Sequence, residues 1–276
     1  MSSSTSRSTV RIPALALIFG CAIVSGCANS GPTPDPATNS TGQPHPAATA
    51  APTSAPIDPC AGTDRCREVA SVDVDGDGAL DRVGIGVVQS PPPPQVAYGA
   101  ATVSVIIAVG PNLQRIDVTS PGVLPGTSGK PDPYVGAYLI SRKTGADLVL
   151  HTQLGQGNSE QFVVIGWQSG HPELVSAPPS GIGNPAPGVW YIGSSHGVHE
   201  WVSCSDGAAV TFNRLSAPTA EGIPLPGGGI REENFFSYDG VAWSPSGSNN
   251  VADDSFSYDF APHTDTFRCE DQARHK

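Results

Sequence analysis

No apolar run in this sequence is long enough to cross a bilayer as a helix. The greasiest stretch, Ile12 to Ser25, has about two thirds of the length a span needs. Basic side chains are scarce: 14 Lys and Arg stand against 25 Asp and Glu, a formal net charge of -11. That excess argues against nucleic acid and against flat adsorption on anionic lipid, since both would repel the chain. Helical periodicity is missing as well, because no window of about a dozen residues repeats its apolar positions every 3.6 residues. There is no G-x-S-x-G elbow and no H-E-x-x-H, and the cysteines lack C-x2-C spacing.

Weaker constellations fare no better. His196-Gly197-Val198-His199-Glu200 has a helix-breaking glycine in its middle and reads as a polar loop leading into Trp201. Gly126-Thr127-Ser128-Gly129-Lys130 has the wrong glycine spacing for a phosphate loop, with Pro131 where a magnesium-binding hydroxyl belongs. Glu233 with Asp253, Asp254 and Asp259 is the one carboxylate group that could serve sugar chemistry. Acidic loop residues are usually only solvated, so no catalytic residue is assigned.

What is present begins at the amino terminus. Arg7 and Arg11 form a positive region ahead of the short apolar stretch, which then ends in Val24-Ser25-Gly26-Cys27. That ending resembles the lipobox of bacterial lipoproteins, and the low lysine content with its Ala/Gly/Pro bias resembles that of actinobacterial-type, high-GC genomes. The resemblance implies that 1–26 is a signal peptide cleaved before Cys27. It also implies a diacylglycerol on the Cys27 thiol, a fatty-acylated (palmitate-type) new amino terminus, and lipid anchoring at the extracytoplasmic face of the cell membrane. Residues 27–58 are mostly Pro, Ala, Thr, Ser and Gly after the lipidated cysteine. They hold too little apolar surface to offset chain entropy and read as a disordered tether. Residues 59–276 are long enough for one hydrophobic core.

Of the six cysteines, Cys21 falls in the signal and Cys27 is the lipidation site, leaving Cys60, Cys66, Cys204 and Cys269. An even number in an exported domain reads as two disulfides. Three pairings are possible and sequence does not choose among them. The favoured one joins Cys60 to Cys66, closing a small loop at the domain entrance, and Cys204 to Cys269, pinning the C-terminal segment to the last sheet.

Alternating and β-branched runs fill the domain. Strands are expected at Arg67 to Val88 (strand, loop, strand), Ala101 to Val109, Leu113 to Val118, Ala146 to Gln153 and Gln161 to Trp167. Others are expected at Gly188 to Ile192, Glu200 to Cys204, Ala208 to Asn213 and Phe235 to Trp243. Pro91 to Pro94 must lie in a loop, because four prolines cannot sit in a ladder. The domain is therefore all-β. A period of about 65 residues joins Gly78-Ala79-Leu80-Asp81 to Gly145-Ala146-Asp147-Leu148 and to Asp206-Gly207-Ala208-Ala209. Three such units are too few for an ordinary closed propeller, so a partial propeller and a β-sandwich are both open.

Asp73-Val74-Asp75-Gly76-Asp77-Gly78-Ala79-Leu80-Asp81 carries acids at loop positions 1, 3, 5 and 9 and glycine at position 6. Alternate spacing turns every second side chain toward one cation, and Ca²⁺ takes six to eight hard oxygens. The bidentate Glu of an EF-hand is absent, with Gly84 in its place, and the flanks read as strands. The segment Val72 to Gly86 resembles the core of FG-GAP or VCBS-type repeats. That resemblance implies degenerate repeats of this kind forming the β domain. It also implies structural Ca²⁺ held by the side chains of Asp73, Asp75, Asp77 and Asp81 and by the Ala79 carbonyl. The later echoes depart from the pattern: Arg142, Lys143 and Thr144 stand where acids should be, and only Asp206 survives in the third.

Most aromatic residues fall in the second half, from Trp167 through Trp190, Tyr191, Trp201, Phe235, Phe236, Tyr238 and Trp243 to Phe256, Tyr258 and Phe260. They fill a core or, alternatively, form a shallow platform for a glycan or a partner protein. The function expected is that of a membrane-anchored envelope lipoprotein whose calcium-stiffened β domain binds an envelope protein or glycan. The alternative is an extracytoplasmic hydrolase acting on envelope glycans.

Overall fold

The computed structural model describes residues 57–63, 65–89, 101–120, 133–154, 159–179, 188–195, 197–205, 207–217, 219–220, 223–224, 228–255 and 266–273. The chain divides into two units, Met1–Ala51 and Pro52–Lys276, and all described residues belong to the second. Cys27, the expected tether up to residue 56, Pro91 to Pro94, the 126–130 turn and Asp206 lie outside the described residues.

Among the described residues there is no helix, and the domain is all-β. Strands β1 (Arg67–Val72), β2 (Asp81–Gln89), β3 (Ala101–Val109) and β4 (Asn112–Ser120) form an antiparallel meander in sequence order. A second meander repeats that order with β5 (Tyr134–Tyr138), β6 (Asp147–Leu154), β7 (Ser159–Gln168) and β8 (His171–Val175). The last hairpin turns on Ser169 and Gly170, both at positive φ (50° and 86°), as a tight two-residue turn requires. Then follow β9 (Val189–Ser195), β10 (Val198–Cys204), β11 (Ala209–Ser216), a short ribbon of β12 (Thr219–Ala220) and β13 (Ile223–Pro224), and the strands β14 (Ile230–Tyr238), β15 (Trp243–Ala252) and β16 (Phe267–Arg268).

The first half of β7 pairs with β9 and its second half with β8, so the second meander runs on into the third group. The resulting ten-stranded sheet has the order β15-β14-β11-β10-β9-β7-β6-β5, with β8 on β7 and β16 parallel to β10. None of the sheets closes on itself.

Residues alternate between the two faces of a strand, and β6 and β7 use both. Leu148, Leu150, Val163 and Ile165 join one core with Val72, Val83, Ile85, Val103, Val105 and Ile107 of the first meander. Val149, Phe162 and Val164 join a second core with Trp190, Val202, Phe212, Phe236 and Phe267. Burial on both faces explains why Leu148-Val149-Leu150 and Phe162-Val163-Val164-Ile165 are continuous apolar runs without alternation.

The disulfides are Cys60–Cys66 and Cys204–Cys269, six and 65 residues apart in sequence. Cys60–Cys66 lies flat on the first sheet because two same-face residues of β2 lack side chains. A Cβ on Gly84 would stand 3.0 Å from the Cys60 sulfur, and one on Gly86 would stand 2.8 Å from Thr63 Cγ2. Cys204–Cys269 anchors a C-terminal segment that the core depends on. The Thr266 carbonyl accepts Val202 N–H (2.8 Å), and the Ala137 carbonyl accepts Gln272 N–H (2.7 Å). Between these ties, Phe267 inserts among Tyr138, Phe162 and Trp190 at ring-centroid distances of 6.1, 5.3 and 6.0 Å.

The sequence reading needs correction at Phe235 to Trp243. The aromatic run hides a turn at residues 239–242, where the Asp239 carboxylate accepts the N–H groups of Val241 and Ala242, so two strands stand where one was expected. Strands β5, β8, β12, β13 and β16 and most of β15 were not expected.

Candidate metal centre

Pairing of Val72 with Asp81 closes the β1–β2 hairpin around the acidic loop. Gly76 and Gly78 take φ of +88° and +86°, a region open to glycine at little cost, and so let the chain turn twice within a few residues. The carboxylates organise the backbone. Asp73 accepts N–H groups from Gly76 (2.7 Å) and Gly78 (2.9 Å), Asp75 accepts from Asp77 (3.0 Å), and Asp77 accepts from Ala79 (2.7 Å). Asp81, at the far end, reaches back to Val74 N–H at 2.8 Å and Asp75 N–H at 3.4 Å.

This folding gathers one carboxylate oxygen from each of Asp73, Asp75 and Asp81 within 4.8 Å of one another. Oxygens on opposite sides of a Ca²⁺ bound at about 2.4 Å lie about 4.8 Å apart, so the spacing fits a hard divalent cation. Asp77 and Ala79 stand outside that group and are exposed. Burial pushes the Asp81 carboxyl up to about 6, and the charges of Asp75 and Asp77 add to the rise against the two N–H donors.

The second meander repeats the device. Asp147, fully buried, accepts N–H groups from Ile140 (3.2 Å) and Ser141 (2.5 Å), as Asp81 does from Val74 and Asp75. Burial raises its carboxyl, while the Ser141 N–H, the Arg142 charge, the Ser141 hydroxyl and the Ile140 N–H draw it down. In this loop a side chain supplies positive charge: Arg142 Nε lies 3.5 Å from Asp147 Oδ1. The same guanidinium donates to the carbonyls of Val74 (2.7 Å) and Ala146 (3.2 Å).

Successive turns stack through their glycines. Ala146 N–H donates to the Asp73 carbonyl at 2.8 Å, and a Cβ on Gly145 would stand 2.8 Å from Gly76 N and Val74 O. A Cβ on Gly207 would collide with the Arg142 carbonyl and Lys143 Cα. The period of about 65 residues is therefore a physical contact from turn to turn. Beside the first contact lies a groove of about 480 Å³, lined by Asp73, Gly76, Asp77, Leu80, Lys143 and Gln272 among others.

The remaining constellations are structural. Trp190, Phe162, Phe212, Phe236, Trp243 and Phe267 are buried in the second core and form no open platform. Trp201 is also buried, with His199 at 5.0 Å and the Arg268 guanidinium 4.0 Å from its ring centre. Phe256, Tyr258, Asp259 and Phe260 lie outside the described residues. Neighbours on a strand point to opposite faces, so His199 and Glu200 do not converge; Glu200 accepts Gly193 N–H at 2.9 Å and lies 3.9 Å from Arg214. Glu233 and Asp253 are both bonded to Arg231. Asp253 is held below its ordinary value, first by the hydroxyl and N–H of Ser255, which is the reverse of what a proton-donating acid needs.

Sequence reasoning missed the double role of Arg142. The signal was an arginine at the start of an acid-poor copy of an acidic loop. Comparison with protein-family models, curated proteins and solved structures finds no match to this chain.

Proposed function

We propose that this chain is a lipid-anchored protein of a bacterial cell envelope. Its β domain, built on degenerate FG-GAP-like units in a partial propeller, is stiffened by Ca²⁺ and presents its surface to an envelope protein or glycan. The observation that carries the calcium reading is the convergence of Asp73, Asp75 and Asp81 within 4.8 Å. Asp77 and the Ala79 carbonyl complete the ligand set by small rearrangements of an exposed turn. Two features support the repeat reading. Both meanders have the same strand order, and in each an aspartate opening the second strand binds the same two backbone N–H groups of the preceding loop. Anchoring rests on Cys27 and the residues before it.

Calcium here is structural. It would neutralise three crowded carboxylates and fix the loop on which the Gly145 turn rests. A ligand that binds only the folded chain stabilises it by about 2.7 kcal/mol at a hundredfold excess over its dissociation constant. Thermal unfolding in Ca²⁺ should therefore occur several degrees above unfolding in EDTA, and Asp75→Ala should remove the difference. Superimposable curves with and without chelator would eliminate the metal.

A further inference from the structure

We propose that Arg142, in the loop between β5 and β6, is a positioning residue for the cation site between β1 and β2. It orients the peptide units that hold Asp81, and so makes Ca²⁺ binding depend on the contact between the two turns. The inference rests on the calcium reading above and concerns what keeps the ligands in place.

A trans peptide unit points its C=O and its N–H in opposite directions, so it can be gripped from both sides. Two consecutive units of the acidic loop are gripped in this way. In the Asp73–Val74 unit, the Val74 N–H donates to Asp81 at 2.8 Å while the Asp73 carbonyl accepts Ala146 N–H at 2.8 Å. In the Val74–Asp75 unit, the Asp75 N–H reaches Asp81 at 3.4 Å while the Val74 carbonyl accepts from the Arg142 guanidinium at 2.7 Å. The second loop therefore holds the carbonyl side of both units, and Asp81 holds the N–H side. Donation to a peptide carbonyl polarises the unit and strengthens its N–H as a donor. Val74, between the two units, is 1 % exposed, so the pair cannot swing outward without uncovering it.

Arg142 is fixed in its turn. Its guanidinium also donates to the Ala146 carbonyl at 3.2 Å, and its Nε lies 3.5 Å from the buried Asp147 carboxylate. Asp147 is tied to the N–H groups of Ile140 and Ser141. Two of the three converging acids, Asp75 and Asp81, are thus placed through Val74 by a residue 68 positions further along the chain. Outer partners that orient metal ligands typically cost about 10–100-fold in affinity when lost.

By charge alone, a cationic side chain beside a cation site weakens binding. Here Asp147 offsets the Arg142 charge at 3.5 Å, so orientation outweighs repulsion. Coupling between sites is reciprocal: if Arg142 sharpens the first loop for Ca²⁺, then Ca²⁺ there must tighten the second loop.

The test is Ca²⁺ titration of the purified full chain by calorimetry, with the unfolding midpoint of each variant recorded in EDTA. Removing the arginine alone leaves the buried Asp147 carboxylate unpaired, so Arg142→Met is combined with Asp147→Asn, which also keeps the formal net charge. The double variant should bind Ca²⁺ at least about tenfold more weakly than the parent. Arg142→Lys keeps the charge and a donor for Val74 and should recover part of that loss. Ser141→Ala removes a hydroxyl bonded to Asp147 at 3.0 Å but no bond to the acidic loop, and should bind Ca²⁺ as the parent does. Amide exchange over residues 142–147 should slow when Ca²⁺ is added to the parent, and should not respond in the double variant. Three results would each overturn the proposal while leaving calcium binding intact: undiminished affinity in the double variant, an equal loss in Ser141→Ala, or second-loop exchange in the parent that ignores Ca²⁺. If the double variant does not fold, Arg142→Lys decides, and affinity equal to the parent's overturns the proposal. A parent chain that takes up no Ca²⁺ removes the calcium reading itself, and this inference with it.

Discussion

Replacing Phe267 with alanine should be among the most damaging single changes in the domain, although the residue lies nine positions before Lys276 in a two-residue strand. Its ring is 8 % exposed and touches Tyr138 and Phe162 of the second meander and Trp190 of the third group. Truncating a buried Phe to Ala costs about 3–5 kcal/mol, and the figure depends on how far the site can collapse. Here collapse is restricted on both sides. The Thr266 carbonyl is bonded to Val202 N–H, Cys269 is bonded to Cys204, and Gln272 is bonded to Ala137. We therefore expect the upper half of the range, about 4–5 kcal/mol, or roughly 10–15 °C in melting temperature for a domain of this size. Urea unfolding of wild type, Phe267→Leu and Phe267→Ala would measure it, with leucine retaining most of the stability. Removing the Cys204–Cys269 disulfide costs about 4 kcal/mol in the chain-entropy model. Because it releases the same segment, the two losses should combine to less than their sum. A loss below about 1.5 kcal/mol for Phe267→Ala, or strict additivity with the disulfide, would refute the wedge.

Gly207→Ala should destabilise by roughly 2–4 kcal/mol, since its φ is +69° and its Cβ meets the Arg142 and Lys143 backbone. Gly110→Ala, at φ +51° with open space around it, should cost only about 1 kcal/mol; equal denaturant midpoints would dissolve the turn-to-turn contact. In chelator, the raised Asp81 carboxyl means that the folded chain holds a proton the unfolded chain releases between pH 3.8 and about 6. Its contribution to stability is therefore present below that window and lost as pH rises through it. The difference between wild type and Asp81→Asn should follow that slope in EDTA and flatten or reverse in Ca²⁺; a difference independent of pH in EDTA would show that burial does not raise the Asp81 carboxyl. Cys27→Ala should release the protein from the membrane fraction with its unfolding midpoint unchanged, and a mutant still sedimenting with membranes would refute lipid anchoring.

Much of the fold was legible because the strands that matter most carry strong patterns. Val103, Val105 and Ile107 alternate, and the doubly buried Phe162 to Ile165 run is short and β-branched. What was hidden is strand structure imposed from outside. Tyr134–Tyr138 has an interior glycine and β8 has a proline, so neither has much propensity of its own; each is a strand because a neighbour supplies the ladder. Trp243–Ala252 is mostly serine, asparagine and glycine, and only β14 makes it extended. Phe267 could not be placed, since nothing local says that a distant segment returns to the core. The acidic loop was readable from spacing alone, whereas the cysteine pairing was only the favoured one of three, because spacing does not say which sulfurs meet in space. Arg142 was read as a residue that repels a cation, and its further contact with Val74 depends on how two turns meet in space.

The seat of Cys60–Cys66 on Gly84 and Gly86 also decides how the domain carries a load. Tension applied to the chain ahead of Cys60 crosses the sulfur–sulfur bond and arrives at Arg67, the start of β1, so the five residues between the cysteines bear none of it. The loop covering β2 stays slack while the chain on either side is taut. A pull from the N-terminal side therefore first meets the β1–β2 ladder, with the disulfide loop still lying over it as a washer lies under a bolt.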